Sequence, residues 1–171
     1  MSDAVQPLVL WIDHPDAVDN PTLGGKFSSL AEMTANGFSV PGGFGITTVA
    51  YRRFLRDAGL AQRAQEVRAQ ARNADLPAVQ AISADFAEAI EQAALPVELE
   101  AAIREAYAEL ERRTGQPDVP VAVRSSGESE DLGGASFAGQ YDTFLWIRGI
   151  DELLHHVRRC WAGMFLSLIH I

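Results

Sequence analysis

The sequence has a single cysteine, too few basic residues to balance its acidic ones, and no long hydrophobic run. Because Cys160 has no second cysteine to pair with, an internal disulfide framework and a multi-cysteine zinc site are excluded. The 14 Lys and Arg residues against 23 Asp and Glu residues give a net charge of −9, which argues against a general nucleic-acid binder. No apolar stretch reaches membrane-spanning length, and the first residues lack the pattern of a signal peptide. We therefore expect a cytoplasmic protein that binds neither nucleic acid nor membrane.

The residues that are present suffice for one core of mixed secondary structure. A chain of 171 residues with 47% hydrophobic content has the size of a single domain. Short apolar runs at 7–12, 119–123 and 141–147 predict strands. The segment 60–113 is rich in Ala, Glu, Gln and Arg and contains no glycine, so it favours at least two helices, at 78–94 and 97–113. This pattern predicts an α/β (or α+β) domain with a short mixed sheet and Ala-rich helices.

Two more helices are predicted in the first third of the chain. Gly24 and Gly25 precede Lys26 and a helical pattern that begins at Phe27 and stops at Asn36-Gly37. A second helix has Thr48 as its expected N-cap and ends before Gly59. The sequence Gly-Gly-Lys therefore forms a turn that opens onto a helix.

Arg124 lies where the predicted strand 119–123 meets a loop of small and acidic residues. A guanidinium at the end of a strand is placed to hold a phosphate with two hydrogen bonds, while the loop after it, beginning at Ser125 and Ser126, offers further donors. The acidic residues downstream, Glu130 and Asp131 among them, have three open roles: pairing with Arg124, holding magnesium near phosphates, or solvating the loop. The alternative function of Arg124 is to tie the loop down.

Lys26 has a similar pair of interpretations. Behind two glycines its ammonium is positioned to reach a phosphate as a point charge, but exposed lysines near turns are common. The surrounding sequence lacks the complete P-loop pattern, so the turn by itself does not define a nucleotide site.

Taken in order, the segments of this chain resemble a known family. Six segments are similar to blocks in the N-terminal nucleotide-binding part of the phosphoenolpyruvate synthase and pyruvate phosphate dikinase family. They are PLVLW, GGKFSSLAEM, TTVAYRRFL, IREAYAEL, AVRSS and ASFAGQ. The resemblance runs from about residue 7 to about residue 165. It implies an ATP-grasp fold, in which two α/β subdomains close over ATP.

The resemblance also implies an activity and a set of contacts. Members of the family move the β-phosphate of ATP to a histidine on a separate domain and then to pyruvate or another acceptor. Lys26 and Arg124 match the contacts to the ATP phosphates, and Gly139 and Thr143 match further nucleotide-contacting positions. Possible contributors from the loop are Ser125, Ser126, Glu130 and Asp131.

The resemblance sets expectations for the limits of this chain. Residues 1–165 are expected to be the N-terminal ATP-grasp subdomain. The last six residues, 166–171, back-translate to CTG TCT CTT ATA CAC ATC, which resembles a transposon end used as a sequencing adapter; we expect an artefact, with a natural apolar terminus as the alternative. No catalytic residue and no metal ligand is expected in this chain, because the phosphohistidine domain and the magnesium ligands belong to later parts of the family's sequence.

Two other functions remain open at this point. The chain is alternatively an ATP-binding subunit that works with a separate histidine-bearing partner, as in phenylphosphate synthase, or part of an enzyme that resembles rifampicin phosphotransferase. A function of a different class is a non-catalytic helical interaction module, built from the Ala-rich helices.

Overall fold

The computed structural model describes residues 6–72, 74–126 and 143–166. Within these residues the chain forms six α-helices, four short strands and one 3-10 turn at Pro15–Ala17. The helices are α1 Gly25–Ala35, α2 Thr48–Asp57, α3 Ala61–Ala71, α4 Leu76–Gln92, α5 Val97–Thr114 and α6 Ile150–Leu166. No helix in this described part is both long enough and apolar enough to cross a membrane.

The strands pair in two places. Strand β1 (Val9–Trp11) runs antiparallel to β2 (Phe44–Ile46), and β3 (Val121–Arg124) runs antiparallel to β4 (Thr143–Ile147). The predicted α/β class is confirmed. In the described residues the four strands form two separate antiparallel pairs, where the sequence pattern suggested one short mixed sheet.

The helix ends follow capping chemistry closely, with one difference from the prediction. Helix α2 is capped by Thr47, whose hydroxyl accepts the N–H of Ala50, so the cap lies one residue before the predicted Thr48. Helix α1 ends at Ala35, with Asn36 as its C-cap and Gly37 next at φ 81°, as the Asn-Gly pair predicted. Segment 60–113 holds three helices, because Asp75 caps α4 and separates it from α3.

Two hydrophobic clusters hold these elements together. The larger one lies between α2, α4, α5 and α6; its fully buried members include Phe54, Phe86, Ile90, Leu99, Ile103 and Phe165. The smaller one joins β1, the 3-10 turn and α1 through Leu10, Ile12, Ala17, Leu23 and Ala31. The smaller cluster thus anchors the helix that begins at the Gly-Gly-Lys turn.

Candidate functional site

The N-terminus of α1 forms the first half of the site. Gly24 is the N-cap, so no side chain of the cap itself satisfies the first N–H groups of the helix. Lys26 lies in the first turn and is partly buried. A helix N-terminus carries partial positive charge and unsatisfied donors, and the lysine adds a full charge beside them. This end of α1 is therefore suited to an anion.

Close packing fixes the position of this helix end. A Cβ atom at Gly45 in β2 would lie 2.8 Å from a methyl group of Leu23 and 3.1 Å from the ring of Phe27. The absence of a side chain at Gly45 lets β2 approach the residues on either side of the Gly-Gly-Lys turn. The turn is held by the smaller hydrophobic cluster on one side and by β2 on the other.

The β3–β4 pair forms the second half. Arg124 and Thr143 are directly opposite each other across the two strands, so their side chains share one face. Both residues are exposed to solvent. The neighbouring pair, Val123 and Phe144, faces the other way and packs on the larger cluster. The strand register thus turns two predicted nucleotide contacts outward together.

Two polar side chains at the end of β3 lack partners in the described part of the chain. The guanidinium of Arg124 forms no ion pair and no side-chain hydrogen bond with the described part of the chain. Ser125 is buried, with 8% of its surface exposed, and its hydroxyl has no hydrogen-bond partner among residues 6–72, 74–126 and 143–166. A buried hydroxyl without a partner is uncommon in folded proteins and calls for an explanation.

A contact between Ser126 and the start of α1 joins the two halves. The hydroxyl oxygen of Ser126 accepts the N–H of Phe27 at 3.3 Å, across 99 positions of sequence. A Cβ atom at Gly24 would overlap the carbonyl and the hydroxyl of Ser126. The Gly-Gly-Lys turn and the segment Arg124–Ser126 are therefore in direct contact.

Helix α6 fixes β4 from the buried side. The ring of Phe144 meets His156 edge-on with centroids 4.8 Å apart, and the guanidinium of Arg159 lies 4.5 Å from the centroid of the same ring. His156 is itself held, because its Nδ1 lies 2.8 Å from the carbonyl of Glu152 one turn earlier. Phe144 is adjacent to Thr143, so α6 supports the strand position opposite Arg124.

A bulge in β4 explains its burial pattern. Two steps along β3, from Val121 to Val123, correspond to three steps along β4, from Ile147 to Phe144. The extra residue allows Phe144 and Ile147 both to face the core, and Trp146 takes a left-handed conformation at φ 60°. Trp146 is 74% exposed as a result.

Three of the four principal predicted contacts fall within this arrangement, and the fourth lies outside the described residues. Lys26, Arg124 and Thr143 belong to two segments that touch through Ser126. Gly139, Glu130 and Asp131 lie outside the described residues. In the part of the chain that is described, no group of three or more His, Cys, Asp or Glu side chains is arranged to hold a metal ion.

The sequence did not reveal two residues that shape this site. Gly24 appeared only as a turn residue, although its missing side chain is what lets Ser126 approach α1. Phe144 appeared only as part of a strand, although its ring is held by two residues of α6. Neither role has a local signal, because each depends on a residue that is distant or on another element.

The fold and this geometry define an α/β domain in which the helix N-terminus that carries Lys26 touches the segment that carries the exposed Arg124. Comparison with known proteins identifies the family: residues 20–167 match the pyruvate phosphate dikinase AMP/ATP-binding domain, and the chain belongs to this family.

Individual relatives agree with this assignment. The chain is 43% identical over 163 residues to a probable phosphoenolpyruvate synthase of Methanothermobacter thermautotrophicus, covering 95% of this chain and 24% of that protein. It is 39% identical over 161 residues to the phosphoenolpyruvate synthase of Pseudomonas aeruginosa, covering 92% of this chain and 20% of the relative. The Escherichia coli phosphoenolpyruvate synthase is 39% identical over 163 residues, with 93% and 20% covered. The chain thus spans less than a quarter of the length of these relatives.

Proposed function

We propose that this chain is the ATP-binding N-terminal portion of a phosphoenolpyruvate synthase-like dikinase, and that Lys26 and Arg124 hold the phosphates of ATP. The observation that carries the proposal is the contact between Ser126 and Phe27, which joins the segments that bear these two cations. A triphosphate needs several positive groups converging on it, and a contact between the two segments would let Lys26 and Arg124 act together.

Arg124 is accessible to a phosphate. Its side chain is exposed and forms no ion pair with residues 6–72, 74–126 or 143–166. Thr143 lies on the same face and would contact the nucleotide beside it. Ser125, whose hydroxyl has no partner among the described residues, would donate a hydrogen bond to a phosphate oxygen.

The reaction assigned to the whole enzyme follows the family's scheme. Lys26 and Arg124 would neutralise and orient the phosphates, so that the β-phosphoryl group passes to a histidine on another domain and then to pyruvate. In this proposal residues 1–165 are the N-terminal subdomain, Gly139 is a further nucleotide contact, and the chain alone completes no turnover. The relatives reported above are named phosphoenolpyruvate synthases, which favours pyruvate over the acceptors of phenylphosphate synthase or rifampicin phosphotransferase.

Magnesium is assigned to no residue of this chain. The family resemblance implies the ion, but the described residues contain no carboxylate cluster that fits it. Glu130 and Asp131 lie outside the described residues, so no step of the proposed function passes through them.

The test is calorimetric titration of the chain with ATP. Lys26→Ala and Arg124→Ala are each expected to weaken binding about 10- to 100-fold, the loss typical of a charge-assisted hydrogen bond. Arg52→Ala is the matched control, since Arg52 is an exposed arginine on α2 and belongs to neither of the two segments that form the site. Unchanged affinity in both site variants, or an equal loss in the control, would contradict the proposal.

A further inference from the structure

Gly24 is a glycine for a reason that its backbone does not explain. Its φ of −73° and ψ of 163° are open to any residue, so no left-handed conformation requires glycine here. What excludes a side chain is Ser126, whose carbonyl and hydroxyl occupy the space that a Cβ atom would need. The start of α1 and the end of β3 can therefore approach this closely only because residue 24 has no side chain.

Ser126 takes over the capping role that Gly24 cannot perform. In most helices the N-cap side chain accepts the N–H of the second or third helical residue. Here Gly24 is the N-cap and Phe27 is the third helical residue. The N–H of Phe27 is shared between the carbonyl of Gly24 at 3.0 Å and the hydroxyl of Ser126, from the end of β3, at 3.3 Å. The cap of α1 thus comes from the segment that carries Arg124.

We infer that Ser126 is a positioning residue, which caps α1 from β3 and so fixes Lys26 relative to Arg124. This inference rests on the proposed function, because the contact of Ser126 with α1 matters for binding only if Lys26 and Arg124 hold the same triphosphate. Ser126 acts through the helix and strand it joins, whereas Lys26 and Arg124 contact the phosphates. A misplacement of about 1 Å between binding groups is enough to weaken their joint action strongly.

The test combines ATP titration with NMR of the whole chain. Ser126→Ala is expected to weaken ATP binding about three- to tenfold, the effect of losing a helix cap, and to speed hydrogen exchange of the Phe27 amide. Ser29→Ala, at an exposed serine of α1, is the control and is expected to change neither. In a Lys26→Ala background, Ser126→Ala should weaken binding less, because its effect passes through the placement of Lys26.

Gly24→Ala provides a second perturbation of the same contact. Its methyl group would push Ser126 away, so ATP affinity should fall more than tenfold. Gly43→Ala is the matched control, because a Cβ at Gly43 meets nothing within 4 Å. If Gly24→Ala fails to fold, Ser126→Ala still decides the question.

The outcomes separate this inference from the proposed function. An unchanged Phe27 amide in Ser126→Ala would overturn the capping contact. Faster exchange at Phe27 with unchanged ATP affinity would overturn the positioning role while leaving the proposed function intact. If the unsubstituted chain binds no ATP, the proposed function fails and the positioning role falls with it, whether or not the Phe27 amide responds.

Discussion

Replacing Phe144 with leucine would test how firmly α6 supports the β3–β4 pair. Leucine keeps most of the apolar contact of Phe144 with the core but removes the edge-on contact with His156 and the cation–π contact with Arg159. An aromatic pair contributes about 0.5 to 1.5 kcal/mol and a cation–π contact at a partly exposed site about 0.5 to 1 kcal/mol. The expected loss in unfolding free energy is about 1 to 2.5 kcal/mol.

The assay is urea unfolding of the chain, with a double-mutant cycle between Phe144→Leu and Arg159→Ala. Phe38→Leu is the control, since Phe38 is 62% exposed and the same substitution there should cost less than about 0.5 kcal/mol. A coupling energy below about 0.3 kcal/mol between Phe144 and Arg159 would refute the cation–π contact. A loss at Phe144 no larger than that at Phe38 would refute the support of β4 by α6.

Two further predictions concern single hydroxyl groups. Tyr107 donates to the carbonyl of Val119 at 2.9 Å and accepts the N–H of Gly149 at 3.1 Å, so Tyr107→Phe should lower the unfolding free energy by about 1 to 3 kcal/mol in urea. Burial raises the pKa of Tyr107 in the folded protein. Its contribution to stability is therefore complete below the ordinary tyrosine pKa and is lost as pH rises through the higher folded pKa. The loss of stability at alkaline pH should be smaller in Tyr107→Phe, and an unchanged pH profile would contradict this. Ser125→Ala should leave the unfolding free energy within about 0.5 kcal/mol, because its hydroxyl has no partner in the described residues, but should weaken ATP binding in calorimetry. A loss of stability without a loss of affinity would assign Ser125 to folding alone.

The sequence predicted most of the local structure, because its signals were local. Asn36-Gly37 ends α1, and Pro96 precedes α5 directly, as expected. The N-cap of α2 was placed one residue late, since Thr47 and Thr48 are both good caps and only the fold decides between them. Thr47 is the cap because its hydroxyl also donates a hydrogen bond to the carbonyl of Pro7, just before β1.

Features that depend on distant contacts were not predictable in the same way. Trp146 is not part of the core, because the bulge in β4 turns it outward. An insertion in strand register has no signal in the alternation of apolar residues alone. The contact of Ser126 with the start of α1 spans 99 positions. The Gly-Gly-Lys turn and the end of β3 could each be recognised in the sequence, but the contact between them could not.

The central claim is that the Gly-Gly-Lys turn and the end of β3 form one phosphate site. An NMR titration of the chain with ATP tests it most directly, because backbone amide shifts report where the nucleotide lies. The account predicts that the largest shifts fall together at Gly25, Lys26, Arg124 and Ser125, with little change along α3. Shifts at only one of the two segments, or shifts centred on α3 and α4 instead, would contradict it.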